Sequence, residues 1–180
     1  MTEFLVQMQG VGKSHSGILV LGATNIPWEI DSAMRRRFEK RVYIPLPDEE
    51  ARKVMFKVHL GNTPHNLTEE NCEQLGVMSE GMSGSDIAVV VQEALMQPVR
   101  NCQLARHFRI NHEGLYEPCD PHGPGAQAMT WMDIPGDRLA VPLVTMRDFV
   151  DVMRRAKASV GASELDRYTE WTREFGEEGT

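Results

Sequence analysis

Three cysteines, Cys72, Cys102 and Cys119, are scattered over 180 residues. They are too few and too irregularly spaced for a disulfide framework, and this usage fits a reducing compartment. No apolar stretch approaches the length of a membrane span, and the first residues lack the block pattern of a signal peptide. A cytosolic protein is the expectation. Positive charge is also in short supply: 19 lysines and arginines stand against 26 acids, for a formal net charge of -7. A general nucleic-acid binder would be expected to show a basic face, so the balance argues against that class. Internal repeats and low-complexity tracts are absent too, which removes solenoids and long disordered linkers.

What remains is the composition of a soluble globular protein, 41% hydrophobic and 25% charged, long enough for one or two modest domains with a real core. One local exception to the acidic balance stands out: Arg35-Arg36-Arg37-Phe38-Glu39-Lys40-Arg41 packs five cations into seven residues. The opening is also unusual. Met1-Thr2-Glu3 runs at once into Phe4-Leu5-Val6-Gln7-Met8, the end of an amphipathic segment, so the chain is expected to start inside a domain.

Gly12-Lys13-Ser14 has the look of a phosphate-binding loop's tail. A working loop needs G-x-x-x-x-G-K-[ST], because the early glycine lets backbone N–H groups turn toward the phosphates. Here Gln7 holds that place, and Ser14 is followed by a polar turn and an apolar run, Ile18 to Leu21, rather than by a helix. The segment reads as a polar loop before a buried strand over residues 18–23.

Downstream, Thr24-Asn25 and Pro27 break the run, and Asp31 is placed to cap a short turn carrying the arginines. Val42-Tyr43-Ile44 reads as a second strand. Asp48 and Gly61 bracket a helix with Ala51, Val54, Met55 and Val58 at inward spacing. Thr68 to Leu75 reads as a shorter helix closed by Gly76. Ser83 and Asp86 form a capping-box pattern for a third helix, with Ile87, Val90, Val91, Ala94 and Leu95 inward and Pro98 as a kink rather than a stop. From about Asn111 to Pro142, five prolines and several glycines enclose short apolar pieces, the pattern of a small β-insert. Helicity returns over Thr145 to Ala158, with Phe149, Val150 and Met153 inward. A last helix from Ser163 places Leu165, Tyr168, Trp171, Thr172 and Phe175 on one side.

Gly22-Ala23-Thr24-Asn25-Ile26-Pro27-Trp28, Asp31-Ser32-Ala33-Met34-Arg35-Arg36-Arg37-Phe38, Tyr43-Ile44-Pro45-Leu46-Pro47, Ala94-Leu95-Met96-Gln97-Pro98-Val99-Arg100 and Met129-Thr130-Trp131-Met132-Asp133 together resemble AAA ATPases of the meiotic clade. Within that clade they resemble the vacuolar-protein-sorting factor four family, the motors that disassemble ESCRT-III polymers. The resemblance implies an α/β remnant of the AAA large subdomain over residues 1–47 and a helical small, or lid, subdomain over 48–108. It implies a β-insert over 109–144 and, over 145–180, the end of the small subdomain with a C-terminal helix. It also implies that the phosphate loop, the metal and general-base carboxylates, the pore loops and an N-terminal substrate-tail-binding domain lie upstream of Met1. ATP and Mg²⁺ are therefore expected in the full-length parent, with none held tightly by this segment, which is expected to be inactive alone.

Residue by residue, Asn25 matches the family's first sensor, where a short amide orients a water beside a phosphate; on local grounds alone it reads as a turn residue. Arg36 and Arg37 match the arginine fingers that reach a neighbouring subunit's γ-phosphate, the alternatives being a solvated basic surface or a nucleic-acid site, the latter weakened by the acidic balance. Gly84 and Ser85 match the second sensor region, whose backbone packs beside adenine, and they equally suit a plain helix start. Ser85 replaces the usual alanine there.

The implied partners are further copies in a hexameric ring, ESCRT-III subunits gripped by the missing upstream elements, and an activating cofactor protein docked on the β-insert, with no nucleic acid. An exposed Trp131 would suit that docking role, and a buried one only insert core. The implied setting is cytoplasmic, with recruitment to the periphery of endosomal membranes. His107, His112, Cys119 and His122 are ligand types that zinc accepts, but their spacing follows no two-plus-two knuckle, so no metal site is expected. The competing functional class is a non-enzymatic oligomerisation and cofactor-binding module.

Overall fold

The computed structural model describes residues 20–38 and 40–178. Short polar side chains decide where its helices start. Helix α1 (Ser32–Arg35) begins at Asp31, whose Oδ1 accepts from the Ala33 N–H at 2.7 Å. Helix α2 (Glu49–Leu60) begins at Asp48, which accepts from the Ala51 N–H at 2.8 Å. At the start of α3 (Glu69–Met78), Thr68 and Asn71 exchange backbone and side-chain hydrogen bonds, and Ser83 and Asp86 do the same for α4 (Gly84–Leu104). Before α5 (Met146–Met153), the N–H and hydroxyl of Thr145 both donate to Asp148. Caps of this kind satisfy N–H groups that have no helical partner and contribute about 1 kcal/mol each.

Among the described residues the chain divides into two units, one of residues 20–45 with 161–178 and one running from Leu46 to Val160. In the second unit Phe56, Leu75, Ile87, Val91 and Phe149 are fully buried, and Phe56 meets Phe149 edge to face at 6.1 Å. Each such side chain removed from water contributes about 1.5–3 kcal/mol. The buried face of α2 is Arg52, Phe56 and Leu60 rather than the expected Val54 and Val58, which are 54% and 69% exposed. The inward stripe is rotated because Arg52 can be buried at the price of hydrogen bonds rather than exclusion. Its Nε and Nη2 donate to the Gly76 carbonyl at 3.1 and 2.9 Å, Nε also to Ser79 Oγ at 3.2 Å, and Nη1 to the Pro47 carbonyl at 2.8 Å. The cation thus sits at the negative end of α3.

Gly76 does not close α3. It lies inside the helix and is buried, because a Cβ there would come within 3.1 Å of the Glu49 carbonyl oxygen; glycine is what lets α3 approach α2 so closely. Pro98, as expected, leaves α4 unbroken and is itself buried. Helix α5 is shorter than the spacing suggested and ends at Met153.

The insert is a three-stranded antiparallel sheet, β2 (His107–Ile110), β3 (Tyr116–Pro118) and β4 (Gln127–Ala128), in the order β3-β2-β4. Register places Arg109 opposite Glu117, and the two form an ion pair at 2.7 Å. Gly114, with φ of +80°, makes the turn between the first two strands, where Asn111 Oδ1 accepts from the Glu113 and Leu115 N–H groups.

In the first unit, β1 (Val42–Tyr43) pairs in parallel with β5 (Glu177–Glu178), which follows helix α6 (Ala162–Phe175). Gly176 ends α6, its N–H donating to the Thr172 carbonyl at 2.7 Å, so tightly that a Cβ would lie 3.0 Å from the same oxygen. The strand expected over residues 18–23 falls partly outside the described residues. Its described part, Val20 to Ala23, is not a strand, and Leu21 is 89% exposed. An apolar run becomes a strand only where a neighbour offers a ladder.

Candidate functional site

The first unit carries the residues that suit phosphate chemistry. Thr24 folds the chain by accepting the Ile26 N–H on its Oγ1 at 3.0 Å, and a single 3-10 turn over Pro27–Glu29 follows. Asn25 sits in that bend with an exposed side chain, and its backbone carbonyl accepts from the Tyr168 hydroxyl at 2.5 Å. Helix α1 then delivers the three arginines into different surroundings. The Arg35 guanidinium lies over the Phe175 ring, 4.1 Å from its centroid. Arg36 is exposed, with Nε anchored on the Ser32 carbonyl at 3.2 Å, so its Nη fork is the outer end of the side chain. Arg37 is half-buried, with Nη1 on the Ala33 carbonyl at 2.7 Å and a buried Nε that has no hydrogen-bond partner among the described residues. A planar, permanently charged fork on an anchored stem is suited to pairing with phosphate oxygens.

Gly84 and Ser85 belong to the second unit, at the first turn of α4. Gly84 packs near Met55, 3.6 Å from where its Cβ would be, and Ser85 is exposed. The turn is fixed by Asp86. Burial pushes its carboxyl upward, but hydrogen bonds from the Ser83 N–H and hydroxyl and from Ser159 outweigh that and hold it below the usual range. Ser159 lies 73 residues away, and no sequence signal pointed to it.

The insert presents Trp131, 40% exposed, beside Met132, with Ile110, Val141 and Leu143 also exposed. Trp131 opens a short turn that is fastened where the Thr130 N–H and hydroxyl donate to Asp133 at 2.8 Å, which lowers the Asp133 carboxyl below its usual range. Among the described residues no three histidine, cysteine, aspartate or glutamate side chains come together as a metal site, and the His107, His112, Cys119 and His122 set is no exception. Gly12-Lys13-Ser14 lies outside the described residues. No described helix is long and apolar enough to cross a membrane. Sequence reasoning placed Tyr168 in the inward stripe of α6 and missed its reach to Asn25. The signal was the hydroxyl, since a tyrosine in a half-buried stripe needs a hydrogen-bond partner.

Comparison with known proteins matches three family descriptions along the chain. Residues 1–46 match "ATPase family associated with various cellular activities (AAA)", residues 69–109 "AAA+ lid domain" and residues 116–176 "Vps4 C terminal oligomerisation domain". The chain is 51% identical to "Vacuolar protein sorting-associated protein 4A" of Homo sapiens, over 98% of this chain and 43% of that protein. It therefore spans less than half the length of the curated relatives it matches. The solved "Crystal structure of FIGL-1 AAA domain" is similar at 35% identity with a TM-score of 0.73, covering 97% of this chain and 50% of that one. The solved "Crystal Structure of Vps4 and Vta1" is similar at 42% identity with a TM-score of 0.54, covering 62% of this chain and all of that one. The architecture is accordingly an α/β remnant of the AAA large subdomain joined to a helical lid that carries a small β-insert and a C-terminal helix. Identity near half along almost its whole length, with all three descriptions in order, means that the chain belongs to the Vps4 family of AAA ATPases.

Proposed function

We propose that this chain is the C-terminal portion of an AAA ATPase that disassembles ESCRT-III polymers during endosomal sorting, working as a ring of identical subunits. Asn25 orients the attacking water beside the terminal phosphate, and Arg36 and Arg37 act across the subunit boundary on the γ-phosphate of a neighbour. Gly84 and Ser85 line the adenine side. The observation that carries the reading is Arg36, an exposed fork anchored at Nε in a chain half-identical to Vps4 proteins. Charge spread over the transferring phosphoryl group is what such a fork stabilises, an effect of roughly 10³- to 10⁵-fold in rate for arginine fingers generally.

In this reading ATP is the substrate, and Mg²⁺ bound with it would supply neutralising charge at the phosphates. We assign the metal ligands and the phosphate loop to the upstream part of the full-length parent. This segment alone is then inactive. The domain limits proposed are 1–47, 48–108, 109–144 and 145–180. The self-association named in the match to residues 116–176 supports the ring, and the hexamer is the form we assign to it. The protein acts in the cytoplasm, recruited to the surface of endosomal membranes.

In the full-length ATPase, Arg36→Ala with Arg37→Ala is expected to lower kcat by at least a hundredfold while ATP binding, measured by calorimetry, is retained. Unchanged turnover would overturn the finger assignment. A second reading, a non-enzymatic oligomerisation and cofactor-binding module, is favoured by one observation, the exposed Trp131 and Met132 on the insert. It predicts nucleotide-independent binding of an activating protein, and a similar solved structure is of Vps4 and Vta1.

A further inference from the structure

Helix α6 turns one phenol toward the bend that holds Asn25. The Tyr168 ring lies 5.0 Å from the Trp28 ring and 6.2 Å from the near-parallel Tyr43 ring, while Arg167 covers Trp28 at 3.7 Å. Aromatic neighbours leave the ring little freedom, so the hydroxyl is aimed rather than merely near. It stands 2.5 Å from the Asn25 carbonyl oxygen and 3.3 Å from Glu164 Oε1. A phenol has one proton to give, and the shorter contact takes it. Partial burial, and then the Glu164 carboxylate, push the phenol's titration upward, so it remains a donor at neutral pH.

The peptide joining Asn25 to Ile26 is therefore fastened at both polar ends. Its carbonyl is held by Tyr168, and its N–H by Thr24 Oγ1 at 3.0 Å. We propose that Tyr168 is a positioning residue for Asn25: by fixing that peptide plane it sets where the exposed Asn25 amide stands, making the last helix part of the hydrolytic apparatus. The inference rests on the reading of Asn25 as the water-orienting amide. Its physical basis is that catalytic groups must be held to within about half an ångström of productive geometry by neighbours whose own rotamers are locked. A Tyr168 that only fills space beside Trp28 would do that equally well as phenylalanine.

The test compares Tyr168→Phe, Asn25→Ala and the double variant in the full-length ATPase, recording kcat, KM for ATP and melting temperature. Losing one aimed hydrogen bond is expected to lower kcat about five- to tenfold, with KM and melting unchanged. Asn25→Ala is expected to lower kcat a hundredfold or more, with the double variant no slower than Asn25→Ala alone, because both changes act through one group. Glu164→Ala, which removes the competing acceptor, should leave kcat as it was. If Asn25→Ala is crippled while Tyr168→Phe turns over normally, the positioning role is overturned and the sensor reading stands. If Asn25→Ala is fully active, the sensor reading fails and takes the proposal with it. A fall in melting temperature with kcat and KM shifting together would reduce Tyr168 to a packing residue and would also overturn it.

Discussion

The two units of this chain are held together by different kinds of contact. The unit from Leu46 to Val160 contains the hydrophobic cluster built around Phe56, Leu75, Ile87, Val91 and Phe149. In the unit formed by residues 20–45 and 161–178, Thr172 is the one buried residue among those described, and the visible ties are rings, guanidiniums and single hydrogen bonds: Trp28 with Arg167 and Tyr168, Arg35 with Phe175, Tyr168 with Asn25. The residues proposed to act on phosphate are in the second kind of environment. Oriented polar contacts specify geometry at modest stability, whereas apolar packing supplies stability without aiming any one group.

The comparison can be broken by heavy damage to the packed unit. Phe56→Ala should cost about 3–5 kcal/mol of that unit's stability, read by urea unfolding. Trp131 reports on the Leu46 to Val160 unit, while Trp28 and Trp171 report on the other. In a Trp131→Phe background the remaining fluorescence follows the arginine-bearing unit alone. An equal shift in both signals would show that the units unfold together and that the contrast has no energetic meaning.

A smaller effect is expected from Arg52, the packed unit's own polar tie. Arg52→Leu should cost about 2–3 kcal/mol by leaving the Pro47 carbonyl without its donor and the Gly76 carbonyl with only the Ser79 hydroxyl. Arg52→Lys should recover little, since an ammonium cannot reproduce the planar fork. Full recovery by lysine would mean that charge at the end of α3, not geometry, is what counts.

The smallest effect concerns a surface network. Glu69, hydrogen-bonded to Lys53 and Lys57 at 2.8 and 2.6 Å, has its carboxyl drawn down to about 2 from 4.5, chiefly by the bond from Lys53. A lowered native value means that the stabilising contribution is full above about 4.5 and is lost as pH falls toward 2. The melting difference between the unaltered chain and Glu69→Gln should accordingly be small at pH 6, shrink below pH 4.5 and vanish near pH 2. Because the network is solvent-exposed, 0.5 M salt should flatten it. A difference that grew with acid would sink the assignment.

Local chemistry made much of this legible in the sequence. Asp31, Asp48, Thr68, Ser83 and Thr145 each stand at the start of a helix, because a cap acts within three residues and needs no tertiary information. The stripe of α6, and the continuation of α4 past Pro98 rather than a stop there, were readable from local spacing. What sequence spacing could not reveal were the consequences of distant neighbours. The inward face of α2 was set by a buried arginine with acceptors as far as 24 and 27 residues away, and Gly76 was kept inside α3 by the closeness of Glu49. At the site, Asn25, Arg36 and Arg37 were legible as residue types in a recurring pattern. The difference between an outward Arg36 and a half-buried Arg37 was not, nor was the hydroxyl that reaches Asn25 from 143 residues away.

That last separation has a consequence for the order of events during synthesis. The unit bearing Asn25 is made from two stretches of chain with the whole of the other unit between them, and β1 waits for β5 at the far end as Asn25 waits for Tyr168. At translation rates of about 5–20 residues per second, 143 residues take roughly 7 to 30 seconds. The packed unit gains its last core residues, Phe149, Val152 and Met153, just before α6 is made, and until α6 follows the bend at Asn25 stays without its fastening. A nascent chain cut short between the end of the packed unit and Tyr168 would therefore hold a finished core and an unset site.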